Sequence, residues 1–258
     1  MEKKTLEILV VEDSPKHMED VKAEMQRRID AGIPVKVDYA KDLKEARVYL
    51  WDKQYDGVIC DVFFPSGLEK EDLDEQERII DGVYELLEPL IEEPKDSGYG
   101  YQRQMDQYRE IKDAMAAWKA WHGHAPLGVC VAEEFAGKLP LVFCTSTFHH
   151  GAKTEPVHKY AGQKKIAMID SYVDGDGEAE KKEWSQAYQA LIARIAISKI
   201  DKSELVKSQE AGRRSDEFKE AYEKVEAEFS EIVKPLSLSG DKYLSDERAL
   251  ADCLMPYL

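Results

Sequence analysis

Two apolar runs in this chain end in carboxylates. Leu6 to Val11 leads into the acidic pair Glu12-Asp13, and Gly57-Val58-Ile59-Cys60 leads into Asp61. If both runs are strands of one parallel sheet, the three acids converge at its carboxyl edge, where open α/β folds place their ligands. Carboxylates are hard oxygen donors for divalent cations such as Mg²⁺. A carboxylate held in such a place is also a recognised covalent nucleophile. The pattern therefore points to an oxygen-ligand cation site with Asp61 as its reactive group. The competing reading is three acidic residues at two solvated strand ends with no shared ligand.

The flanking sequence supplies the elements that would bring these residues together. Ser14-Pro15 reads as an N-cap with proline at the first helical position, and Met18, Val21, Met25 and Ile29 recur at helical spacing up to Gly32. Pro34 to Tyr39 alternates as a short strand. Asp42 then caps a helix carrying Leu43, Ala46, Val48 and Leu50, ahead of the strand that ends at Asp61. A β-α-β-α-β order is the mark of a parallel sheet with crossover helices.

That rhythm stops after Phe63-Phe64-Pro65. Over residues 68–125 two long helical stripes replace it, Ile79 to Ile91 and Met105 to Trp118, with Pro94, Gly98 and Gly100 at the turn between them. Pro89 removes a donor and should end or kink the first stripe. The segment reads as a helical hairpin inserted into the sheet domain, and its Tyr101, Tyr108, Trp118 and Trp121 form an aromatic face that packs inward or receives a partner. The sheet then resumes with a short helix from Gly128 to Phe135 and a strand from Leu139 to Cys144, followed by Thr145-Ser146-Thr147. His149 to Gln163 is too short and glycine-interrupted to read as a long helix. A strand from Ile166 to Ile169 ends at Asp170, and Glu178 to Ile200 reads as an amphipathic helix that closes a domain over residues 1–200. Residues 201–258 form a helical extension. In it Phe218, Tyr222, Val225, Phe229 and Ile232 make a short seam, used to dock on the same chain or to form a homodimer, and a last helix falls within Asp246 to Leu254.

The bulk numbers exclude several classes. At 258 residues and 43% hydrophobic content the chain can bury a core, and its net charge of −16 disfavours nucleic acid and anionic membranes, whose affinity comes from Lys and Arg. The four cysteines show no CxxC spacing and read as reduced thiols. The N-terminus lacks the apolar core of a signal peptide, and no apolar run reaches the length of a membrane span, so the expectation is a soluble cytoplasmic protein.

Three stretches together, Ile8-Leu9-Val10-Val11-Glu12-Asp13-Ser14-Pro15, Asp56-Gly57-Val58-Ile59-Cys60-Asp61-Val62-Phe63-Phe64-Pro65 and Leu139-Pro140-Leu141-Val142-Phe143-Cys144-Thr145-Ser146, resemble the receiver domain of two-component response regulators. The likeness runs from Leu6 to Ile200 apart from the insertion. It implies a flavodoxin-like α/β fold, a five-stranded parallel sheet of order 2-1-3-4-5. It further implies that Asp61 accepts a phosphoryl group from a histidine kinase or phosphotransfer protein. Glu12, Asp13, Asp61 and the Phe63 backbone carbonyl would hold Mg²⁺, and the Thr145 hydroxyl would hydrogen-bond the phosphoryl group. The cation makes physical sense, because a carboxylate approaching a phosphoryl group meets like charge that a hard cation offsets. Pro65 matches the family's proline four places beyond the acceptor. The output would pass to a protein partner through the insertion or the C-terminal helices.

One departure from that pattern concerns the charge of the pocket. Where the family carries Lys-Pro at the end of its fifth strand, with an aromatic residue shortly before, this chain reads Ala167-Met168-Ile169-Asp170-Ser171. Either Lys164 or Lys165 reaches in, or the pocket works without a lysine. Two alternatives to the signalling reading follow: a phosphorylation-independent scaffold that keeps the sheet, and a Mg²⁺-dependent phosphotransferase or phosphatase using Asp61. Phe63 sits where one large class of such phosphatases has a second acid, which counts against the enzyme. His122, His124, His149 and His150 lack supporting ligands for a transition metal, and Asp174 to Glu178 lacks the spacing of a calcium loop.

Overall fold

A computed structural model of the protein describes residues 5–65, 73–95, 98, 100–119, 124–135, 137–146, 154–170, 182–239, 241 and 247–254. The chain begins with β1 (Leu6–Val11), α1 (Pro15–Asp30), β2 (Val35–Ala40), α2 (Leu43–Asp52) and β3 (Gly57–Cys60). The two expected caps form: Ser14 Oγ accepts from the His17 amide at 3.4 Å, and Asp42 Oδ1 accepts from the Glu45 amide at 2.8 Å. After β4 (Phe64–Pro65) come the paired helices α3 (Leu73–Leu87) and α4 (Tyr101–Lys119), then β5 (His124–Ala125) and α5 (Gly128–Phe135). The chain finishes with β6 (Leu141–Thr145), α6 (Glu155–Lys164), β7 (Ala167–Asp170), α7 (Trp184–Lys199), α8 (Ser203–Ser208), α9 (Asp216–Val233) and α10 (Glu247–Leu254).

Five strands form one parallel sheet in the order β2-β1-β3-β6-β7, the order expected from the sequence. Both faces are covered, so the strands read as continuous apolar runs whose side chains alternate between two cores. Leu6, Ile8, Val10, Ile59, Val142 and Cys144 point to the core shared with α1 and α7. Leu9, Val11, Val58, Cys60, Leu141 and Phe143 point to the core shared with α2, α5, α6 and the hairpin. The hairpin is closed at its base by two antiparallel pairs, Phe64 with Ala125 and Pro65 with His124. The first of its helices gives way to a 3₁₀ turn over Glu88–Leu90, where Pro89 removes the donor. Ile111, Met115 and Trp118 of α4 are buried in the sheet's second core, while Trp121 lies outside the described residues.

Several sequence expectations are corrected. A helix does form between the fourth and fifth sheet strands: α6 buries Pro156, Val157, Tyr160 and Ala161, and its glycine falls in the last turn, where it interrupts little. Of the four apolar residues read on α2, Ala46 is the buried contact and Val48 is 54% exposed. The helix read as amphipathic, α7, begins at Trp184 and is buried nearly all round, with Ala187, Tyr188, Leu191, Ile192, Ile195 and Ala196 all in the core. Its outer side is covered because the C-terminal extension docks there. Phe218, Val225, Phe229 and Val233 of α9 and Leu250 and Leu254 of α10 join the same core as β1 and β3. The seam of α9 is therefore used within the chain. No helix among the described residues is long and apolar enough to cross a membrane.

Candidate cation and phosphoryl site

The sheet order reverses between β1 and β3, and in open α/β sheets ligands bind beyond the carboxyl ends of the strands at such a point. The backbone ladder runs one residue past both strands there: the Glu12 amide donates to the Ala40 carbonyl at 2.9 Å, and the Asp61 amide donates to the Val11 carbonyl at 2.8 Å. This fixes the two carboxylates at adjacent strand ends. Glu12, Asp13 and Asp61 each offer one oxygen within 4.8 Å of the others. The donor set is all oxygen and anionic, which fits a hard divalent cation.

A residue that the sequence reading missed completes the site. Lys182, just ahead of α7, places its Nζ 2.5 Å from Glu12 Oε2 and 2.8 Å from Asp61 Oδ2, with its side chain fully buried. Glu12 and Asp61 continue the strand positions that face α7, so a lysine at that helix's entrance falls directly over them. Lys164, one of the two lysines considered from sequence, instead pairs with Glu133 at 2.9 Å, and Lys165 takes the left-handed position that ends α6. The ammonium reaches the pocket from twelve residues beyond the end of β7, a separation that no strand-end motif reveals. The signal was only a lysine two residues ahead of Trp184, where α7 begins. The backbone of Asp170 pairs with Thr145 in the sheet.

The remaining contacts tune the pocket. Asp61 Oδ1 accepts from the Val62 amide at 2.7 Å, and Glu12 Oε1 accepts from the Ser14 amide at 3.0 Å. One ammonium cannot balance two buried carboxylates and their neighbour. Burial first, and the charge of Asp61 second, push the Glu12 carboxyl up from 4.5 to about 7, against the pull of Lys182. The same two causes raise Asp13. Beside these carboxylates Lys182 is held firmly in its charged form, its neighbours' charges outweighing its burial.

Two histidines rim the acids. His17 Nδ1 lies 3.7 Å from Glu12 Oε1, and His124 Nε2 lies 4.0 Å from Asp13 Oδ2. His124 arrives through the short β4–β5 pairing, so the insertion contributes to the rim of the site. Thr145 is buried at the end of β6, on the same sheet edge as Asp61 and one strand away. Phe63 follows two residues behind Asp61, its side chain packed in the core with Val62 and Phe64. The loop is pinned from below by Gly128: its amide donates to the Val62 carbonyl at 3.0 Å, and a Cβ there would lie 2.2 Å from the Asp61 carbonyl oxygen. Only glycine permits so close an approach. His122, His149, His150 and Asp174 to Glu178 lie outside the described residues. Comparisons of the chain with family models, with curated proteins and with solved structures each found no match.

Proposed function

We propose that this protein is a receiver-like signalling protein that takes a phosphoryl group on Asp61 with the help of Mg²⁺ and passes the signal on by protein contact. The observation that carries the reading is the meeting of Glu12, Asp13 and Asp61 with a buried lysine ammonium 2.8 Å from Asp61. In the proposed step Asp61 Oδ attacks the phosphorus of a phosphohistidine or small phosphodonor. A carboxyl–phosphoryl bond forms as the donor's bond to phosphorus breaks and the leaving atom takes the electron pair. Mg²⁺ on the three carboxylates would supply positive charge to the transferring oxygens. Lys182, already within reach, would neutralise a phosphoryl oxygen, the role for which the sequence offered no residue at the fifth strand. Thr145 would donate its hydroxyl from the neighbouring strand end.

A second reading draws on the same lysine. With Lys182 as an internal counter-ion, the carboxylates are partly balanced without any ligand, as suits a scaffold that takes no phosphate. Incubation with Mg²⁺ and a small phosphodonor, followed by intact-mass measurement, separates the two. The proposed function predicts a gain of one phosphoryl group that is lost in Asp61→Asn. Absence of any adduct, with Mg²⁺ binding retained, transfers the case to the scaffold, and repeated turnover of a phosphate ester transfers it to a hydrolytic enzyme.

A further inference from the structure

Arg28, in the last turn of α1, is fully buried and held on every side. Its Nε donates to Glu24 at 2.8 Å, its two terminal nitrogens donate to the Asp241 carboxylate at 2.8 and 3.1 Å, and Nη2 also donates to Ser185 Oγ at 3.0 Å. The guanidinium stacks 4.0 Å over the Tyr188 ring. Asp241 belongs to the C-terminal extension, where its carboxylate also accepts the Leu238 amide at 2.9 Å. The Tyr188 hydroxyl donates to the Leu236 carbonyl at 3.3 Å. One buried polar node thus joins the end of α1, the first turn of α7 and the segment between α9 and α10.

This node stands three residues from Lys182. The Lys182 carbonyl accepts the Trp184 amide at 2.9 Å, and its ammonium lies 5.5 Å from the Trp184 ring centre. Residues 182–185 therefore make a short bridge with an anchor at each end, an ammonium on Glu12 and Asp61 and a hydroxyl on Arg28. A divalent cation held by Glu12 and Asp61 would compete with that ammonium for the same two carboxylates. Two positive charges on the same pair of carboxylates repel each other, which weakens the ammonium's hold on them.

We infer that the 182–185 bridge couples the carboxylate site to the docking of the C-terminal extension: a cation at Glu12, Asp13 and Asp61 unseats Lys182, and the shift passes through Ser185 to loosen the Arg28–Asp241 pair. This regulation rests on the cation-binding part of the function proposed above. Because coupling is reciprocal, release of the node strengthens cation binding by the same factor by which the bound cation weakens the node.

The test uses the full chain and Mg²⁺ alone. Amide hydrogen exchange over residues 225–254 should accelerate when Mg²⁺ binds, while exchange in β1 and β3 does not. Ser185→Ala and Asp241→Asn should each bind Mg²⁺ more tightly, by about fivefold or more, the lower end of ordinary coupling. Mg²⁺ binding that leaves the extension's exchange unaltered, with wild-type affinity in both variants, overturns the inference and leaves the function standing. If Mg²⁺ does not bind at all, the proposed function fails, and the bridge is judged by Lys182→Met without metal. Faster exchange confined to residues 236–254 supports the bridge, whereas equal loosening of sheet and extension reduces Lys182 to a general stabiliser and sinks it.

Discussion

Lys182 decides the electrostatics of the site, and its removal is the sharpest residue-level test. Lys182→Met leaves Glu12 and Asp61 facing each other in a buried pocket, and breaking a buried ion pair on one side typically costs about 3–5 kcal/mol. Urea denaturation should show a loss of that order, reduced in millimolar Mg²⁺ because the cation restores the missing charge. Glu12 adds a pH signature. Its folded carboxyl is raised from 4.5 to about 7, so it holds a proton in the folded state that the unfolded chain has released. The stability it confers is fully present below about pH 4.5 and is lost as pH rises to about 7. The wild type should therefore lose stability across that window relative to Glu12→Gln, and denaturation midpoints from pH 4 to 8 measure the difference. Glu12, Asp13 and Asp61 were legible in the sequence because each ends an apolar run, and strand direction alone carries such residues to one edge. Lys182 was not, because its position depends on where α7 enters, a matter of tertiary packing.

At the scale of elements, the sheet was readable because every strand is short, apolar and punctuated by a capping or turn residue. Pattern and cap agreed at Ser14 and Asp42. The elements that misled are those whose environment differs from the usual one. Burial on both sides makes α7 look merely amphipathic when its few polar positions are counted, and α6 hides behind a late glycine. The contact between α5 and the Asp61 loop gives an element-level prediction. In Gly128→Ala the new methyl would sit 2.2 Å from the Asp61 carbonyl oxygen and 3.0 Å from the Val62 Cα, both backbone atoms that cannot swing aside. Overpacking of this kind costs about 1–3 kcal/mol, and here it also pushes the Asp61 loop off its support. Thermal melting should fall, and Asp61 should accept phosphate from a small donor more slowly even at a temperature where the variant remains folded. Normal uptake in a destabilised variant would separate the helix contact from the site.

For the whole molecule, the sequence pattern divides the chain at residue 200, but the core does not. Phe218, Val225, Phe229 and Val233 share one hydrophobic cluster with Ile8, Val10 and Ile59, and α7 lies between the sheet and these helices. The extension thus completes the fold while leaving the opposite face, with α2, α5, α6 and the hairpin, to a separate core. A helix buried all round cannot be left half bare without exposing apolar surface. Truncation after Ile200 should therefore yield a protein that aggregates or melts well below the full chain, and it should also lose Arg28's bidentate partner, Asp241. Supplying residues 201–258 in trans tests whether the loss is one of packing: recovery of solubility and of the melting transition at stoichiometric peptide is the expected result. A truncated chain that melts like the intact protein would instead show that the extension is an accessory to a self-sufficient domain.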